Sequence, residues 1–98
     1  FTTELKVTKS NKVNLSPHQI AYHEERKNSC AFILVKRLLK SNPKKSQLHI
    51  YGAEQVRELA DHGLKVPGLF AFDPINWSLV QKQLVILVRG RTRDQLIG

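Results

Sequence analysis

The chain has 98 residues, room for one compact domain. With 41% hydrophobic and 24% charged residues it reads as a globular sequence rather than a disordered tail, and no run approaches the roughly 18 apolar residues of a membrane-spanning helix. Sixteen Lys and Arg against eight Asp and Glu give a net charge of +8, which points to a polyanionic partner: nucleic acid first, an anionic membrane surface or a ribosomal setting next, a merely solvated basic surface as the plainer alternative.

Residues 1–8 read as a strand, with Phe1, Thr3, Leu5 and Val7 facing one way and Thr2, Glu4, Lys6 and Thr8 the other. A carboxylate and an ammonium then stand side by side on one face, roughly 6–7 Å apart at the backbone. A carboxylate can hold Mg²⁺, and a neighbouring lysine can stabilise a phosphate or an attacking water. The plainer reading is a Glu–Lys pair on the solvated face of a strand. The same spacing recurs at Glu25 and Lys27, where the pattern is helical and no chemistry is suggested.

A polar loop follows, carrying Lys9, Asn11, Lys12 and Asn14. Ser16 is a natural N-cap, Pro17 suits the first helical position and Gln19 completes a capping box, which predicts a helix from there to about residue 28. Its apolar surface rests on Ile20, Ala21 and Tyr22, with His23, Glu24, Arg26 and Lys27 expected largely in water. Cys30, the one cysteine, makes neither an intramolecular disulfide nor a zinc site and fits a reducing, intracellular compartment. Residues 31–35 are apolar without alternation, the pattern of a strand buried on both faces of an α/β sheet.

A basic connection, with Lys36, Arg37, Lys40, Lys44 and Lys45, leads to a short strand at 47–51. A helix over 52–61 presents Ala53, Val56, Leu59 and Ala60 on one face and is closed by Gly63 and Leu64. Residues 66–72 read as a loop with apolar contacts. Asp73 and Pro74 open a third helix whose apolar face is Ile75, Leu79, Val80, Leu84, Leu87 and Val88, ending at Gly90. A strand over 84–88 is the alternative, and 89–98 is a basic tail. Trp77 and Tyr51 read as structural. His18, His23, His49 and His62 form no H-E-x-x-H motif, and no G-x-S-x-G or phosphate-binding loop is present.

The succession of Glu4-Leu5-Lys6 on a strand, a polar loop, a helix opening Leu15-Ser16-Pro17-His18-Gln19-Ile20, and the buried strand at 31–35 resembles the second half of the PD-(D/E)XK nuclease fold. It is most similar to small phage and archaeal Holliday-junction resolvases and VRR-NUC-type endonucleases, over residues 1 to about 51. The resemblance implies a restriction-endonuclease-like α/β domain: a small mixed central sheet flanked by helices, lacking the N-terminal helix and strands. It implies Mg²⁺- or Mn²⁺-dependent hydrolysis of DNA phosphodiesters, with branched or junction DNA as substrate. Glu4 and the backbone carbonyl of Leu5 would be the metal ligands. Lys6 would orient the water and offset phosphate charge, and Gln19 would reach the same centre from the helix. For Gln19 the capping box is an equally good account.

His18 would lie near a phosphate, and Lys9, Lys12, Lys36, Arg37, Lys44, Lys45, Arg91 and Arg93 would contact the DNA backbone or else form a solvated rim. The family also uses an acidic ligand on the strand before E-x-K. The 98 residues begin at Phe1, inside that strand, and Asp61, Asp73 and Asp94 lie elsewhere. The expectation is therefore that an upstream segment or a second chain completes the site, in a homodimer as in junction-cutting relatives, or that the chain is a binding or assembly module of phage type that does not cut. The compartment implied is the cytoplasm, the host's if the protein is phage-encoded.

Overall fold

A computed structural model of the chain describes residues 2–26, 30–38 and 46–97, with side chains through 91. The β-branched run at the start forms β1 (Thr2–Thr8), which pairs in parallel with β2 (Ala31–Arg37). The crossover between them carries α1 (Pro17–Glu24). β2 pairs antiparallel with β3 (Gln47–Gly52), and β3 antiparallel with β4 (Phe70–Phe72), giving one mixed sheet in the order β1-β2-β3-β4. The fold is thus α/β with a small mixed central sheet, as the sequence predicts.

Alternation along β2 divides the core in two. Ile33 and Val35 pack with Tyr51, Val56 and Leu59 on the face covered by α1 and α2 (Val56–His62). Phe32 and Leu34 pack with Leu48, Ile50, Val80 and Leu84 under α3 (Trp77–Ile97). Helices therefore lie on both faces of β2, which explains its unbroken apolar run. Full burial of each such side chain contributes about 1.5–3 kcal/mol.

The facing of β1 departs from expectation. Leu5 and Val7 are 54% and 58% exposed, whereas Glu4 and Lys6 are half-buried. β1 is an edge strand. Leu5 is in register with Leu34 and so shares the face of the α3 cluster, but that cluster is built on β2 and β3. The opposite face of β1 lies under α1, and there Glu4 and Lys6 point.

Further boundaries differ from the sequence reading. α1 ends at Glu24, with Glu25 as its C-cap. A 3-10 turn, Ala53–Gln55, precedes α2. The segment read as a loop contains β4, held because Phe70 and Phe72 continue the ladder opposite Ile50 and Leu48. α3 starts at Trp77, not Pro74, because Asn76 is its cap: the Asn76 side-chain oxygen accepts the Leu79 N–H at 3.3 Å. Asp73 instead accepts from Gln47 Nε2 at 2.9 Å.

Gly90 lies within α3, so 84–88 is helical and the expected basic tail is the last part of the helix. Trp77, read as structural, is 52% exposed. Tyr51, read as structural, is buried, and its hydroxyl donates to the Val66 carbonyl at 2.7 Å. Among the described residues no helix is long and apolar enough to cross a membrane.

Gly63, just after α2, has a φ of +62°. A Cβ there would stand 2.0 Å from the Asn11 carbonyl oxygen, which accepts the Leu64 N–H at 2.7 Å. Only glycine permits this approach, and it fastens the β1–α1 loop to the end of α2.

Candidate active site

The E-x-K strand and the first turn of α1 meet through one amide. Gln19 Nε2 donates to Glu4 Oε1 at 2.8 Å, while Gln19 Oε1 accepts the Ser16 N–H at 2.9 Å. Ser16 Oγ in turn accepts the Gln19 N–H at 3.2 Å, closing the capping box. The two accounts of Gln19 are therefore both satisfied, by different atoms of the same group. Flipping the amide would set donor against donor at Ser16, so the orientation is fixed by the cap.

The second oxygen of Glu4 is also engaged. His23 Nε2 lies 2.9 Å from Glu4 Oε2, and the ring is 2% exposed. An ionised carboxylate only accepts, so this contact assigns the proton to Nε2. His23 Nδ1 is buried with no hydrogen-bond partner among the described residues. His23 was expected in water, and the structure overturns this. One turn of helix separates it from Gln19, so both side chains leave the same face of α1 and reach the same carboxylate. The signal was present as Gln-x-x-x-His. It is hidden when histidines are sought only in pairs of metal ligands.

Two clefts open beside this centre. One, of about 390 Å³, is lined by Glu4, His18, Gln19, Tyr22 and His23, with Thr2 and Thr3. Arg26 stacks its guanidinium over the Tyr22 ring at 3.6 Å. The other, of about 600 Å³, is lined by Lys6, Asn14, Ser16, Gln19 and Ala60 among others. Lys6 makes no hydrogen bond or ion pair among the described residues, so its ammonium is available to a ligand in that cleft.

The residues expected to contact DNA fall in several places. Lys9 and Lys12 are exposed in the β1–α1 loop, and His18 is exposed at the start of α1, against the Glu4 cleft. Lys36 and Arg37 are half-buried at the end of β2. Lys36 alternates onto the α3 side of the sheet, away from Glu4. Lys44 and Lys45 lie outside the described residues, as does the side chain of Arg93, although its backbone belongs to α3.

Arg91 is engaged within the chain. It forms a two-point pair with Glu54, at 3.0 and 2.6 Å, and its guanidinium sits 5.0 Å from the Phe32 ring centroid. With its side chain only 14% exposed it fastens α3 to the turn after β3.

Elsewhere, burial and then Arg37 hold the His49 pKa below its ordinary value, with Asp73 opposing them. Burial raises that of Tyr51.

A magnesium or manganese ion asks for several oxygen ligands in near-octahedral array. Among the described residues no group of three or more His, Cys, Asp and Glu side chains could hold a metal ion. Glu4 offers one carboxylate, and both its oxygens already accept from protein donors. These residues alone do not fit a complete metal site. A further acidic side chain is required for one.

Comparison of the chain with protein-family models, with curated proteins and with solved structures gives no match. The functional argument therefore rests on the site itself.

Proposed function

We propose that the chain is one half of a DNA-hydrolysing centre of the PD-(D/E)XK kind. The observation that carries this reading is the convergence of Glu4, Lys6 and Gln19, from a strand and the following helix, on one pair of adjoining clefts. A half-buried lysine with no partner among the described residues, two positions along the strand from a fixed carboxylate, is well suited to a phosphodiester: Lys6 offsets phosphate charge, while Gln19 and His23 keep the Glu4 carboxylate in one orientation. The parallel β1-α1-β2 unit that presents them is the arrangement the resemblance implies. The reading takes Mg²⁺ or Mn²⁺ as cofactor only together with an acidic side chain from a second chain or an upstream segment.

A second reading is favoured by a specific observation. Both Glu4 oxygens are satisfied from within the chain, as in a structural carboxylate. On that account the chain is a nucleic-acid-binding or assembly module on a nuclease-like scaffold.

A nuclease assay separates the two. Labelled branched and linear DNA is incubated with Mg²⁺, Mn²⁺ or EDTA, using this chain and any longer polypeptide that contains it. Metal-dependent cutting that falls at least about 100-fold in Glu4→Ala and in Lys6→Ala, with DNA binding retained in both, supports the first reading. Cutting unchanged by Lys6→Ala refutes the assignment of that lysine. Absence of cutting throughout, with salt-sensitive binding, establishes the second reading.

A further inference from the structure

The clefts beside Glu4 are not isolated. Gln19 forms a wall of both the Glu4 cleft and the Lys6 cleft. The Lys6 cleft shares Val13, Asn14 and Ala60 with a third, of about 440 Å³, that ends between Lys12 on the β1–α1 loop and Lys65 after α2. The three clefts therefore adjoin in a row, a segmented groove from the reacting centre, past the N-terminus of α1, to a pair of exposed lysines from distant parts of the chain. Neither ammonium has a hydrogen-bond or ion-pair partner among the described residues. The floor is pre-formed, because the Leu64 N–H to Asn11 carbonyl bond and the close approach at Gly63 lock the two walls together. Asp61 and His62 also line this end, and Asp61 is its one acidic group.

We infer that this groove is the path of a single DNA strand, with Lys12 and Lys65 forming a distal phosphate subsite. The inference rests on the reading of Glu4 and Lys6 as the reacting centre, and it adds a direction: the bound strand leaves that centre across Asn14 and Ala60 rather than over the outer surface of α3. Neutral polar groups along the middle (Asn14, Ser16) and cations at Lys6 and at the far end suit a backbone that is held by charge and not read by base. Lys65 gives no sign of this in the sequence, since more than 50 residues separate it from Lys12.

The test is equilibrium binding of a fluorescently labelled single-stranded oligonucleotide in EDTA, measured across a range of salt concentrations so that no cleavage intervenes. The wild-type chain is compared with Lys12→Ala/Lys65→Ala and with Lys82→Ala/Arg89→Ala, which removes the same charge from the exposed face of α3. Thermal melts confirm that each variant folds. Loss of two single-strand phosphate contacts lowers the slope of log affinity against log salt by about 1.4. That drop in the first variant and not in the second is the result expected. An unchanged slope in Lys12→Ala/Lys65→Ala overturns the path, and so does an equal drop in both variants, which marks diffuse attraction. Because the measurement contains no metal, a chain that never cuts DNA can still pass it, and a chain that cuts can still fail it.

Discussion

Gln19 is held at both ends of its amide, by Ser16 and by Glu4, and its substitutions separate the two tasks. Gln19→Ala removes a cap partner and a carboxylate donor together, an expected loss of about 1–2 kcal/mol in chemical denaturation. Gln19→Glu keeps an acceptor for the Ser16 N–H but sets a second carboxylate against Glu4. The variant is therefore expected to be destabilised in the same measurement although its cap is kept. The cap was legible because Ser-Pro-x-Gln is a local pattern. The contact of His23 with Glu4 was not, because its burial depends on which face of α1 lies on β1, and polar residues ring this helix almost evenly.

At the scale of elements, burial on two faces was easy to see in β2, whose five apolar residues in succession leave no other solution. β1 misled because its apolar alternation is sound but its neighbours are not symmetric: one face has a helix over it and the other does not. α3 misled at both ends for local reasons. Asp73 and Pro74 mimic a helix start, yet the cap that forms is Asn76. Gly90 mimics a stop, yet a single glycine in an exposed helical turn only weakens it. Among the described residues nothing lies within 4 Å of a Cβ built at Gly90. Gly90→Ala is accordingly expected to raise stability by about 0.5–1 kcal/mol, read as a higher melting temperature with an unchanged circular dichroism spectrum.

Over the whole molecule, the sheet order and its two cores follow from apolar patterning, whereas the groove from Glu4 to Lys65 depends on how distant loops are fastened and has no sequence signature. Global stability carries a pH signal on the acid side. With its pKa held down by burial and Arg37, His49 takes up a proton less readily in the folded chain than in the unfolded one. Its contribution is fully present above the ordinary histidine value and is lost as pH falls through the lowered value of the folded chain. Unfolding free energy should therefore decline as pH falls below about 6.5, and His49→Gln should flatten that decline, in denaturant titrations at each pH.

The contacts that define the centre join residues 15 and 19 positions apart, whereas the bond from Cys30 Sγ to the Val88 carbonyl spans 58. Loop-closure entropy grows with the logarithm of that separation, so the centre is roughly 1 kcal/mol less costly to close than the docking of α3. A chain shortened from its C-terminus would give up the α3 layer while every contact among Glu4, Gln19 and His23 remained encoded in one uninterrupted stretch.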